Sequence, residues 1–102
     1  MRQNNSKIEN FLWHCGLTPN YAGFSCVALA LGMAQQGVPI SQEMLSHIAA
    51  QTGRTRRSVY AVMITALEKI PCIPRDLKGI RCDRLYLMLH FLYERLQNEL
   101  CI

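Results

Sequence analysis

Three arginines, Arg54, Arg56 and Arg57, stand close together in the middle of the chain, and no aspartate or glutamate occurs between Met44 and Leu67. Thr52 and Thr55 flank them, so a short stretch of backbone carries cations and hydroxyls of the kind that donate to phosphate oxygens. The acids lie elsewhere, at Glu9, Glu43, Glu68, Asp76, Asp83, Glu94 and Glu99. The formal net charge is +4, an excess that suits an anionic partner without demanding one. It is the local concentration of charge, more than the total, that points to a binding surface.

Other chemistry is poorly provided for. His14, His47 and His90 are scattered along the chain, with no serine or cysteine beside them in a nucleophile motif, and each reads as a packing or surface histidine. His14 and Cys15 are adjacent, but consecutive residues on a helix point in different directions and make a poor catalytic or metal pair. The five cysteines, Cys15, Cys26, Cys72, Cys82 and Cys101, are odd in number and contain no C-x-x-C pair. Buried, reduced thiols are expected in place of a disulfide framework or a zinc site. There is no glycine-rich phosphate loop and no carboxylate pair at helix spacing. The expectation is therefore a protein that is not an enzyme and has no metal and no small-molecule cofactor. Residues Met1 to Asn5 lack a signal-peptide core and no apolar run is long enough for a membrane span, so a reducing cytoplasm is the expected setting.

The elements that must position the arginines can be read from the hydrophobic pattern. Half of the 102 residues are hydrophobic and 18% are charged, which fits one packed globule. Ser6-Lys7-Ile8-Glu9 has the form of a capping box, and Ile8, Phe11, Leu12 and Cys15 form an apolar stripe, so a first helix is expected over Lys7 to Cys15, ending at Gly16. A turn at 17–20 precedes a second helix, Tyr21 to Gln36, whose small residues Ala22, Gly23, Ser25, Ala28, Ala30 and Gly32 would let neighbours approach closely and place it centrally. Ser41 caps a short third helix with Met44, Leu45, Ile48 and Ala49 inward and its end near Gly53. Thr55 caps a fourth, with Val59, Val62, Met63, Ala66, Leu67 and Ile70 inward, terminated by Pro71 and Pro74. Residues 72–82 read as a surface connection with room for one short helical turn. Asp83 caps a last helix, Arg84 to Asn98, with a stripe of Leu85, Met88, Leu89, Leu92 and Leu96, while Tyr86, Leu87, Phe91 and Tyr93 cover much of the rest. Such a helix is either deeply buried or the interface of a homodimer. The fold expected is an all-α compact bundle of five to six helices in one domain over residues 1–102.

Within it, residues 41–70 fit a helix-turn-helix. That unit needs a small residue where the second helix crosses the first, a left-handed glycine in the turn and a branched apolar residue packing back, and Ala49, Gly53 and Val59 meet those needs, with Ile48 and Val62 as further core positions. In this geometry the second helix enters the major groove of double-stranded DNA. Thr52, Arg54, Thr55, Arg56 and Arg57 would serve phosphates, and Arg57, Tyr60, Ala61 and Ile64 would face base edges. Two other readings stand beside it: the arginines as an ordinary solvated face of a helix pair, and a protein-interaction or dimerisation module in which Tyr60, Ile64 and the aromatic last helix form the binding face. A basic ridge joining Arg54, Arg56 and Arg57 to Lys78, Arg81 and Arg84 would favour DNA.

Gly16-Leu17-Thr18-Pro19-Asn20-Tyr21-Ala22-Gly23-Phe24, together with Ile48-Ala49-Ala50-Gln51-Thr52-Gly53-Arg54-Thr55 and Arg57-Ser58-Val59, resembles the C-terminal effector domain of the sporulation initiation response regulators, the stage zero sporulation protein A family. The likeness covers residues 16 to 69, and more loosely 83 to 97. It implies an all-α DNA-binding transcriptional regulator, which in that family is controlled by phosphorylation of an attached receiver domain and by dimerisation on tandem sites. No receiver domain is expected in a chain of this length. The recognition helix also departs from the family: Ser58, Tyr60, Ala61, Ile64 and Thr65 stand where the family carries several charged base-reading residues, so the family's sequence preference does not carry over.

Overall fold

The computed structural model describes the backbone of residues 2–71, 73 and 84–100. Among these residues the fold is all-helical, with five helices and no strands: α1 (Arg2–His14), α2 (Phe24–Gln35), α3 (Gln42–Thr52), α4 (Arg56–Glu68) and α5 (Arg84–Leu100). The described residues thus hold five helices, where five to six were expected for the whole chain. The short helical turn anticipated between residues 72 and 82, and the cap expected at Asp83, lie outside the described residues. Ile73, assigned to that surface connection, is in fact buried in the core.

The apolar stripe of α1 behaves as its spacing requires, with Ile8, Phe11, Leu12 and Cys15 all buried. Its start does not: the helix begins at Arg2, so Ser6 lies inside it and is no N-cap. Propagation adds one hydrogen bond for each residue fixed, and a helix nucleated on the stripe continues backward through polar residues of only mildly poor propensity. At the other end the N–H of Leu17 donates to the Leu12 carbonyl at 2.9 Å, turning the chain so that Leu17 itself is buried.

Helix α2 starts at Phe24, three residues later than its composition suggests. Residues 18–23 instead form successive turns, in which the N–H of Tyr21 donates to Thr18 at 3.1 Å and that of Phe24 to Tyr21 at 3.0 Å. The helix is central, as its small residues imply, and packs against α1, α3, α4 and α5. The residue before it, Gly23, lies close against α4, where a Cβ atom would be 2.2 Å from the Val62 carbonyl oxygen. Only a residue without a side chain lets the start of α2 rest on the backbone of α4.

The last helix buries the stripe that its spacing marks. Leu85, Met88, Leu89, Leu92 and Leu96 are buried, and Tyr86, Phe91 and Tyr93 are half-buried against the same core. These aromatic side chains pack partly against the chain's own core and keep the rest of their surface exposed. One contiguous cluster unites buried residues of all five helices. Each fully buried leucine, isoleucine or methionine contributes about 1.5–3 kcal/mol of transfer free energy, so this cluster holds the α3–α4 pair in place.

Candidate nucleic-acid interface

Helix α3 begins after Ser41 and ends at Gly53, whose φ of 73° and ψ of 19° are left-handed. The N–H groups of Gly53 and Arg54 both donate to the Ala49 carbonyl, the latter at 3.1 Å, which satisfies an otherwise orphaned acceptor and reverses the chain. Thr55 then adopts extended backbone, and its side-chain oxygen accepts from the N–H of Ser58 at 3.1 Å. Helix α4 starts at Arg56, separated from α3 by only Gly53, Arg54 and Thr55. Ile48, Ala49 and Val59 are buried between the two helices and their neighbours.

The hydroxyl groups differ in what they have left to offer. Thr52, half-buried, donates to the Ile48 carbonyl at 2.8 Å, so its proton is committed inside α3 and it can only accept from a ligand. Thr55 is exposed and uses its oxygen as an acceptor, leaving its O–H to donate outward. Arg54 is exposed, and its Nη1 donates to Ser58 Oγ at 3.2 Å, which ties the guanidinium to the first turn of α4. Its positive charge also acts on Cys26 of α2: burial pushes that thiol up from its ordinary value, and Arg54 partly opposes the rise. Arg56 and Arg57 are exposed.

Along α4 the outward stripe runs through Arg57, Ala61, Thr65 and Glu68, all exposed. Ile64 does not belong to it. Expected to face outward, Ile64 is only 6% exposed and packs in the core, while Val62, expected inward, is half-buried. The buried arc is broader than a single stripe because α4 packs against α2, α3 and α5 together. Tyr60 is half-buried against the core and offers only part of its ring. Thr65, one turn beyond Ala61, takes the outward place given to Ile64; its hydroxyl donates to the Ala61 carbonyl at 3.0 Å. The i, i+4, i+8 spacing from Arg57 is the signal that could have found it.

Beside this stripe lies an apolar notch of about 170 Å³, lined by Tyr21, Ala22, Gly23, Ala61, Val62, Thr65 and Ala66. It exists because the 18–23 turn presses on α4 at Gly23. Of the basic ridge anticipated further along the chain, Lys78 and Arg81 lie outside the described residues, as does the side chain of Arg84. Among the described residues no three histidine, cysteine, aspartate or glutamate side chains gather where they could hold a metal ion, and no helix is long and apolar enough to cross a membrane.

Set against protein-family models, curated proteins and solved structures, the chain matches none.

Proposed function

We propose that the chain is a DNA-binding regulator in which α3 and α4 act as a helix-turn-helix on double-stranded DNA. The observation that carries this reading is the start of α4. Its first turn contains no acid and instead presents exposed Arg56 and Arg57, with Arg54 tied alongside through Ser58. A helix N-terminus already bears about half a positive charge. Adding cations there, with no acidic residue between Met44 and Leu67, builds a positive locus that suits an anionic ligand.

The division of labour follows from exposure. Arg54, Thr55 and Arg56 serve phosphates, and Arg57, Ala61 and Thr65 look toward base edges. With Ile64 in the core, one bidentate-capable residue, Arg57, remains for base reading on that stripe, so binding is dominated by the backbone and only mildly selective for sequence. The likeness of residues 16 to 69 to the sporulation initiation effector domain supports the same reading. The apolar notch beside Ala61 favours a second one, a protein-interaction module that keeps the helix pair and docks an apolar side chain there.

Fluorescence anisotropy with random duplex DNA across a salt series separates the two. Three neutralised phosphates give a log-log slope of about −2.7, so a fourfold rise in salt weakens binding about 40-fold. No binding at low salt, or an affinity indifferent to salt, refutes the DNA reading.

A further inference from the structure

Ala61 and Thr65 belong to two features at once. Both stand on the exposed stripe of α4 that begins at Arg57, and both line the apolar notch of about 170 Å³ beside it, with Tyr21, Ala22 and Val62 among the other residues of its wall. A space of about 150 Å³ holds benzene, so the notch is wide enough for a methyl group together with the pyrimidine edge that carries it. The Thr65 hydroxyl donates to the Ala61 carbonyl at 3.0 Å, so toward a ligand its oxygen can only accept. An acceptor and an apolar recess thus stand side by side, within two helical turns of exposed Arg57.

Whatever rests there must suit the surrounding charge as well as the recess. Arg54, Arg56 and Arg57 are exposed at the start of the same helix, and the stripe carries no acid until Glu68, which favours a polyanion bearing apolar groups over a neutral apolar segment. Duplex DNA has one such group on its major-groove edges, the C5-methyl of thymine. The donors on those edges are adenine N6 and cytosine N4, so among the four bases' pairs only A·T offers a donor and a methyl together. We infer that Thr65 and the notch are the feature of α4 that selects an A·T pair, the thymine methyl entering the notch while Thr65 Oγ1 accepts from the adenine amino group. This rests on the DNA reading above and gives it a base contact besides Arg57.

Removing the methyl alone makes the test direct. Anisotropy is recorded for the full chain on a duplex of alternating adenine and thymine, and on the same duplex with deoxyuridine in place of thymine, which keeps every phosphate and every hydrogen-bonding group. The expected result is about fourfold tighter binding of the thymine duplex, the worth of one buried methyl group, with the same salt slope for both because no phosphate contact differs. Ala61→Met, a good helix former at an exposed position, should fill the notch and abolish the preference. Thr65→Val should keep the preference but bind both duplexes about fivefold more weakly, the loss of one hydrogen bond. Both positions are exposed, so circular dichroism should be unchanged. Salt-dependent binding of both duplexes with equal affinity overturns the proposal and leaves the DNA reading standing. So does a preference that survives Ala61→Met, or a Thr65→Val variant that binds as tightly as the parent. Failure to bind either duplex or the random one at low salt overturns both, and leaves the notch to a protein side chain.

Discussion

Two turns border α4, and both depend on a glycine, for opposite reasons. Gly53, between α3 and α4, has a left-handed backbone and nothing within 4 Å of where a Cβ would be. Gly23, at the start of α2, has an ordinary right-handed backbone with φ −85°, but its Cβ would lie 2.2 Å from the Val62 oxygen and 2.9 Å from Ala66 Cβ. One position is dictated by its own torsion angle, the other by its neighbour. The first sets where the arginine-bearing end of α4 begins, and the second sets what lies beside its outward stripe.

The contrast breaks most sharply at Gly23. Gly23→Ala should cost about 3 kcal/mol, the upper end of what overpacking a core costs, because the nearest atoms belong to the α4 backbone and cannot step aside. In a domain of this size that lowers the Tm by at least about 12 °C. Thermal unfolding followed by circular dichroism checks it, and a Tm unchanged within error would mean that α2 does not rest on α4 as described.

Gly53 should respond to side-chain type, not to side-chain size. Gly53→Val should cost about 2 kcal/mol, since a β-branched residue is strongly disfavoured in the left-handed region, whereas Gly53→Asn should be close to neutral because asparagine visits it readily. Equal melting temperatures for the two variants would mean that the turn is not left-handed at this residue. The same asparagine at Gly23 should be as damaging as alanine there, which separates the two glycines in one experiment.

The difference between these turns also explains what is legible in the chain alone. Gly53, the Thr55 cap and the stripes of α1 and α5 are local signals, carried by residues within one turn of each other, and spacing and residue type locate all of them. Gly23 is visibly small, but the role of α4 as the surface it rests on is a relation across 39 positions of sequence and leaves no local trace. The misplacement of Ile64 and Val62 has the same origin. Periodicity finds the centre of a buried face, while the edge of that face depends on which neighbours the helix has, and α4 packs against α2, α3 and α5 among the described helices. The start of α1 differs for another reason: Ser6 carries the chemistry of a cap, yet a cap signal cannot stop a helix that gains a hydrogen bond with each residue added. At the candidate interface Arg54, Thr55, Arg56, Arg57 and Ala61 all lie exposed, while the notch beside them needs the fold to be seen.

The smallest effect on stability should accompany the largest effect on binding. Arg56 and Arg57 occupy the positive end of α4, where a cation opposes the helix dipole and an acid would be favoured by about 0.3–1 kcal/mol. A paired Arg56→Glu, Arg57→Glu variant should therefore fold as well as the parent or slightly better, with the Tm unchanged or raised by a few degrees. Under the proposed function its affinity for duplex DNA should collapse, and any residual salt slope should shrink by about 0.9 for each phosphate no longer neutralised. That opposition of signs is informative because residues that merely solvate a helix gain nothing by standing against its dipole. A variant that loses stability would show the arginines to be part of the packing. One that gains stability and still binds DNA with the parent's salt dependence would show that the interface lies elsewhere.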